Sequence, residues 1–215
     1  MVKKDLVTSS DNLKFKNEAG GFQSWQLNDR QICDLELLLN GGFHPLKGFM
    51  NRDDYESVLI DMRLKDGSLW PIPITLDISN EFAEKIKDEE KITLRDKEGF
   101  PLAILTISDI WNPDVEKEAK LVFGTKDIKH PSVNYLLNVG NKTYVGGSLT
   151  AIKLPHHYDY QNYRHTPDEL KKIFIDKGWK KVVAFQTRNP LHKAHVEMTL
   201  LAMKDLNAKL LIHPV

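Results

Sequence analysis

Cysteine is almost absent from this chain: among 215 residues there is one, Cys33. That excludes an intramolecular disulfide framework and a cysteine-rich zinc site. Net charge is absent too, because 30 Lys and Arg balance 30 Asp and Glu. A nucleic-acid binder held by bulk positive charge is therefore not indicated. No run approaches the ~18 apolar residues that a membrane span needs. The start, MVKKDLVTSS, lacks the apolar core of a secretory signal, and acidic residues follow soon after it. Neither secretory nor transit targeting is indicated, and the default compartment is cytoplasmic. There is no internal repeat and no low-complexity segment. What is present, 41% hydrophobic and 28% charged residues, is the composition of a globular protein of one or two domains.

The charge balance conceals an asymmetry. From residue 168 onward nine Lys and Arg face five Asp and Glu, a net of +4, which leaves −4 for residues 1–167. A basic terminal stretch after an acidic body suggests a small anionic ligand at that end.

Apolar periodicity organises the first part. Leu27, Ile32, Leu35, Leu38 and Leu39 recur at helical spacing, and Gly41-Gly42 reads as the stop. Cys33 lies within this helix, where no activating neighbour is evident, so it reads as a packed or inert thiol in preference to a nucleophile. Asn51 is placed to cap a second helix, with Asp53 and Asp54 in its first turn. Trp70 to Ile78 is apolar, but two prolines demote it to an edge or irregular strand. Lys91–Arg95 and Phe100–Ile107 flank the turn-like Asp96-Lys97-Glu98-Gly99 and predict a hairpin. Tyr144 to Leu154 reads as a further strand, loosened at Gly146-Gly147. Many short strands with few long helices predict a small, partly open β-barrel with helical insertions.

Pro155 to Pro167 is a polar, aromatic linker candidate. His156, His157 and His165 within it read as polar packing in preference to a metal patch. Beyond it the pattern changes. Thr166 with Glu169 forms a capping box, Leu170, Ile173 and Phe174 supply an apolar helix face, and Gly178 ends it. Val182–Phe185 carries no polar residue, the mark of a central parallel strand. A helix from about His192 to Leu206 and a strand from Lys209 to His213 follow. This is the opening of a doubly wound α/β domain. Since two parallel strands do not fill such a sheet, the domain is expected to continue beyond Val215.

The loop after the first of these strands reads Gln186-Thr187-Arg188-Asn189-Pro190-Leu191-His192-Lys193-Ala194-His195. Loops at the carboxyl ends of parallel strands bind ligands in α/β folds, and a helix N-terminus just after suits phosphate. Arg188 offers a two-pronged donor for a tetrahedral oxyanion. His192 and His195, three apart, share one helical face and can neutralise charge as a phosphoanhydride breaks. Gln186, Thr187 and Asn189 add uncharged donors. Chelation of zinc by the two histidines is disfavoured: no third ligand is near, and the metalloprotease motif spaces them by four with an intervening Glu.

QTRNPLHKAH resembles the signature QTRNP-x-H-R-A-H of the ATP sulfurylase (sulfate adenylyltransferase) family. LELLLNGGFHPLKGFM, DGSLWPIPITLD, NVGNKTYVGGSL, LPHHYDY and NAKLLIHPV are similar to further segments of that family, in the same order, so the resemblance covers the whole chain. Lys193 departs from the signature's arginine, keeping the charge and losing the fork. The family's second ATP loop, G-R-D-H-A-G, does not occur before Val215. The resemblance implies a fold of α+β followed by α/β: a PUA-like β-barrel over 1–165, then the start of a Rossmann-like nucleotidyltransferase domain from 166. It implies transfer of the adenylyl group of MgATP to sulfate, giving adenosine 5′-phosphosulfate and pyrophosphate, the opening step of sulfate assimilation. It implies Thr187, Arg188 and Asn189 as catalytic residues and His192 and His195 as transition-state stabilisers. Gln186 to Asn189 would bind ATP, and Gln186 and Arg188 sulfate. Magnesium would arrive with ATP and no protein-held metal is expected. A homo-oligomer is expected at full length, with neither membrane nor nucleic acid as partner. The alternatives are a non-catalytic fragment and an RNA-binding PUA-like module; the −4 of residues 1–167 speaks against the second.

Overall fold

In the computed structural model the described residues are 9–215, with side chains from Lys14 onward. Residues 1–8, and with them most of the stretch read for targeting, lie outside the described residues. The rest divides into two compact units, one ending at Tyr163 and one running from Arg164 to Val215.

In the first unit, helix α1 (Ser9–Ala19) leads to strand β1 (Ser24–Gln26) and helix α2 (Asp29–Asn40). Asn28 caps α2: its side chain accepts from Gln31 N, and the Gln31 side chain accepts from Asn28 N. Such a reciprocal cap satisfies two of the amides that every helix start leaves open. Gly41, at φ 82°, closes α2 in the left-handed conformation. The helix therefore starts after Leu27, whose backbone N–H instead bonds Arg95 O. Its buried residues are Gln31, Leu35 and Leu38. Cys33 points away from them and is exposed, which corrects the packed thiol expected from sequence. Partial burial, with Asp34, Glu36 and Asp29 around it, raises the Cys33 pKa. A raised pKa disfavours the thiolate, the nucleophilic form.

Helix α3 (Arg52–Asp61) is capped by the Asn51 side chain, which accepts from Asp54 N. Strand β2 (Leu76–Ile78), helix α4 (Asn80–Ile86), β3 (Lys91–Arg95) and β4 (Pro101–Trp111) follow. Helix α5 (Val115–Phe123) and the short α6 (Pro131–Asn134) run into a π-helical turn at Tyr135–Val139, then β5 (Thr143–Ala151). The sheet order is β1-β3-β4-β5-β2, so β2 is an edge, as the prolines before it required. Among the described residues, β1–β3 is the one parallel pair of this sheet. The order does not close on itself, giving a half-barrel. Its core gathers Leu27, Phe49, Met50, Leu76, Ile92 and Leu105 among others.

A bulge in β4 at Ser108 faces Gly146-Gly147 of β5, and the segment 47–50 crosses over them, with Gly147 N bonding Phe49 O and Leu149 N bonding Lys47 O. The crossing requires glycine: a Cβ on Gly48 would stand 2.0 Å from Gly147 O, and one on Gly147 would stand 2.0 Å from Thr106 O. The loosening read at this pair is thus a site of close backbone approach.

Two polar clusters lie inside the unit. Asp77 accepts from Arg30 Nη2 at 2.5 Å, Gln31 Nε2 at 2.8 Å, Asn141 N at 2.9 Å and Asn141 Nδ2 at 3.2 Å. Glu118 Oε2 accepts from the phenols of Tyr55 at 2.8 Å and Tyr144 at 3.0 Å. Each fulfils the rule that buried polar groups find partners. In the linker region His157 Nε2 meets both Glu36 carboxylate oxygens, at 2.8 and 2.9 Å. That accounts for one of the linker histidines as packing.

The second unit begins with α7 (Pro167–Asp176), whose capping box joins Thr166 and Glu169. Strand β6 (Val182–Thr187), helix α8 (Lys193–Leu206) and strand β7 (Lys209–Pro214) complete it. β6 and β7 pair in parallel from Val182↔Lys209 to Thr187↔Pro214. Among the described residues β6 has one neighbour and is half-buried. The central position expected for it would need a second flanking strand.

Candidate active site

The parallel register decides what meets at the carboxyl ends of β6 and β7. Strand side chains alternate between faces, and parallel partners share a face. The Phe185 ring lies 5.5 Å from the His195 ring of α8, so Val183, Phe185 and Thr187 turn toward that helix. Gln186 turns to the other face, where its partner in register is His213. The sequence reading omitted His213, since pairing of residues so far apart in the chain is set by the βαβ fold.

Past the strand the loop is held by its own groups. Asn189 N donates to Thr187 Oγ1 at 3.1 Å, and Thr187 Oγ1 donates to Asn189 O at 2.8 Å. This local turn leaves Arg188 at its tip, exposed. Thr187 O also accepts from Val215 N at 3.0 Å, which ties the loop to the end of β7. Thr187 and Asn189, expected to serve the chemistry, here shape the loop as well.

His192 is the N-cap of α8, so the helix starts one residue later than read, and Lys193 opens it. His195 Nδ1 accepts the backbone N–H of His192 at 3.4 Å. With Nδ1 turned to the backbone, Nε2 is the ring nitrogen left to face a ligand. The two rings sit edge to face with centroids 5.5 Å apart, in keeping with the shared face read from their spacing. Segment 186–195 contains no Asp or Glu. The helix N-terminus, Arg188, Lys193 and two imidazoles give this edge the hydrogen-bond donors and positive charge that an oxyanion can accept from.

Among the described residues the side chains of Gln186, Arg188 and His213 carry no hydrogen bond or ion pair, so their donors are free for a ligand. No group of three His, Cys, Asp or Glu among the described residues is placed to hold a metal ion. No helix among them is long and apolar enough to cross a membrane.

Known proteins are similar to this chain along its whole length. Residues 1–154 match the PUA-like domain family and residues 161–215 the ATP-sulfurylase family. The whole chain is 51% identical to a sulfate adenylyltransferase of Kluyveromyces lactis and 53% identical to one of Saccharomyces cerevisiae. It spans 42% of the length of each. A solved structure described as a hexameric APS kinase from Thiobacillus denitrificans matches 98% of the chain and 37% of its own, at 33% identity and a TM-score of 0.78. The chain therefore belongs to the PUA-like domain family and carries, after that domain, the opening of an ATP-sulfurylase domain.

Proposed function

We propose that this chain supplies the PUA-like domain, residues 1–165, and the first part of the catalytic domain, from 166, of a sulfate adenylyltransferase. The observation that supports the reading is the β6–loop–α8 unit, in which Arg188 and the His192–His195 pair lie on a segment, 186–195, without Asp or Glu. A sulfate oxygen attacks the α-phosphorus of ATP in line. The bond from that phosphorus to the bridging oxygen breaks, and adenosine 5′-phosphosulfate and pyrophosphate form. Positioning and charge stabilisation suffice for such a step. Gln186 to Asn189 line the ATP phosphates, and Gln186 and Arg188 hold sulfate. Thr187, Arg188 and Asn189 carry the catalytic roles, with Thr187 and Asn189 keeping the loop in shape. His192 and His195 donate to oxygens that gain charge as the bond breaks. Magnesium enters with the nucleotide: the loop offers it no carboxylate, so the phosphates themselves would hold it. Assembly into a homo-oligomer is part of the proposal, supported by the hexameric solved relative.

Arg188→Ala in the full-length protein tests this. A charged hydrogen bond lost at the reacting centre costs about 3 kcal/mol, about a hundredfold in rate. Sulfate-dependent pyrophosphate release is expected to fall at least that far, with an unchanged far-ultraviolet circular dichroism spectrum. Near-normal release from the folded variant would overturn the assignment.

A further inference from the structure

The alternation of β6 sorts the candidate site into two sides. His195 belongs to the α8 side through its contact with Phe185, whereas Gln186 projects from the opposite face with His213 beside it. In-line displacement keeps the attacking and departing oxygens on opposite sides of the phosphorus, so groups on separate sides of the site can serve them separately. We infer that His213 is a positioning residue on the attacking side, orienting the Gln186 amide and with it the tetrahedral oxyanion. The inference rests on the sulfate adenylyltransferase reading above.

Three observations support it. Neighbouring strands run about 4.8 Å apart, so paired side chains on one face lie within each other's reach. His213 and Gln186 are both exposed at the carboxyl edge, and neither side chain has a hydrogen-bond partner among the described residues. Pro214 follows His213, and Val215 N bonds Thr187 O, so the backbone that carries the ring is pinned to the loop that carries Arg188. A ring fixed at this register can meet the Gln186 amide oxygen with a ring N–H, turning the amide NH₂ toward the anion.

The test is steady-state pyrophosphate release by the full-length protein, with sulfate and MgATP varied separately, for wild type, His213→Ala and His213→Gln. Loss of one oriented hydrogen bond to a charged group is expected to raise KM for sulfate about tenfold in His213→Ala. KM for MgATP is expected to rise less, since Gln186 is one of four residues along the ATP phosphates, and the thermal midpoint is expected to stay at its wild-type value. His213→Gln, which keeps a donor at similar reach, is expected to recover part of the loss. A merely structural role would move both KM values and the midpoint together, and that result would overturn the inference. So would an unchanged KM for sulfate in His213→Ala. Wild-type protein without sulfate-dependent release would defeat the underlying reading and this inference with it. An active wild type with an unaffected His213→Ala would defeat the inference alone.

Discussion

Replacing Asp77 by alanine removes the acceptor that joins α2, β2 and the turn before β5. The carboxylate takes four hydrogen bonds, from Arg30, Gln31 and both donors of Asn141, at 3% exposure. Deletion strands those donors in the interior and leaves Arg30 with Asp34 as its remaining carboxylate. Breaking a buried ion pair by removing one partner costs about 3–5 kcal/mol; the Arg30 side chain is 36% exposed and keeps Asp34, so the lower end, about 3 kcal/mol, applies, most of it from the buried Gln31 amide left unpaired. Gln31 also accepts from Trp25 Nε1 at 3.2 Å, so tryptophan emission should report the change. The assay is urea unfolding followed by tryptophan fluorescence and far-ultraviolet circular dichroism. The pH dependence is a second check. Burial pushes the Asp77 pKa up, but the Asn141 backbone N–H, the Arg30 charge and the Gln31 amide outweigh it, and the net shift is downward. A lowered carboxylate pKa contributes stability that is complete above the unfolded value of about 3.9 and is lost as pH falls through the folded value. The advantage of wild type over Asp77→Ala should therefore hold steady from pH 7 to about 4 and shrink below. A loss under about 1 kcal/mol at pH 7 would refute the reasoning, because the four bonds would then be no better than those water supplies.

Glu118 should behave in the opposite sense. Burial raises its pKa, although the Tyr55 and Tyr144 phenols pull it back in part, so the folded protein binds this proton more tightly and stability should increase as pH falls through the folded value toward the unfolded value of about 4.3. Glu118→Gln keeps an oxygen for both phenols and is expected to be neutral or stabilising at pH 7, while Glu118→Ala loses about 2–3 kcal/mol by leaving two buried hydroxyls unpaired. Chemical denaturation of both variants checks the contrast. Gly147→Ala, whose Cβ would collide with Thr106 O, should prevent folding or cost more than about 3 kcal/mol, whereas Gly41→Ala, left-handed but with open space around it, should cost only about 1 kcal/mol. Soluble yield and thermal midpoints separate the two. His192→Ala and His195→Ala in the full-length protein should lower kcat more than they weaken ATP binding, because their donors meet charge that grows in the transition state. A pure loss of ATP affinity at unchanged kcat would make them ground-state binders.

Much of this protein was legible in its sequence, because the deciding interactions are local. Asn51 with Asp54, and Thr166 with Glu169, cap their helices through groups three residues apart. The turn at Asp96–Gly99 sets the β3–β4 hairpin, and prolines keep β2 short and at the edge. The strand–loop–helix of 182–206 was readable from an apolar run, a punctuated loop and helical periodicity, and the signature within it named the residues of the candidate site. Tertiary structure alone settled the rest. The helical pattern did not say that Cys33 faces outward, because the side of α2 that is buried is chosen by what packs on it. The Asp77 and Glu118 clusters join residues 26 to 64 positions apart, and nothing in the intervening sequence encodes those distances. Gly48 and Gly147 matter through a crossing of two backbones that only the folded sheet creates. His213 stands beside Gln186 because a parallel register, closed through α8, carries a residue 27 positions downstream to the same strand end. Local chemistry wrote the elements and the signature loop; long-range pairing decided which side chains share a face.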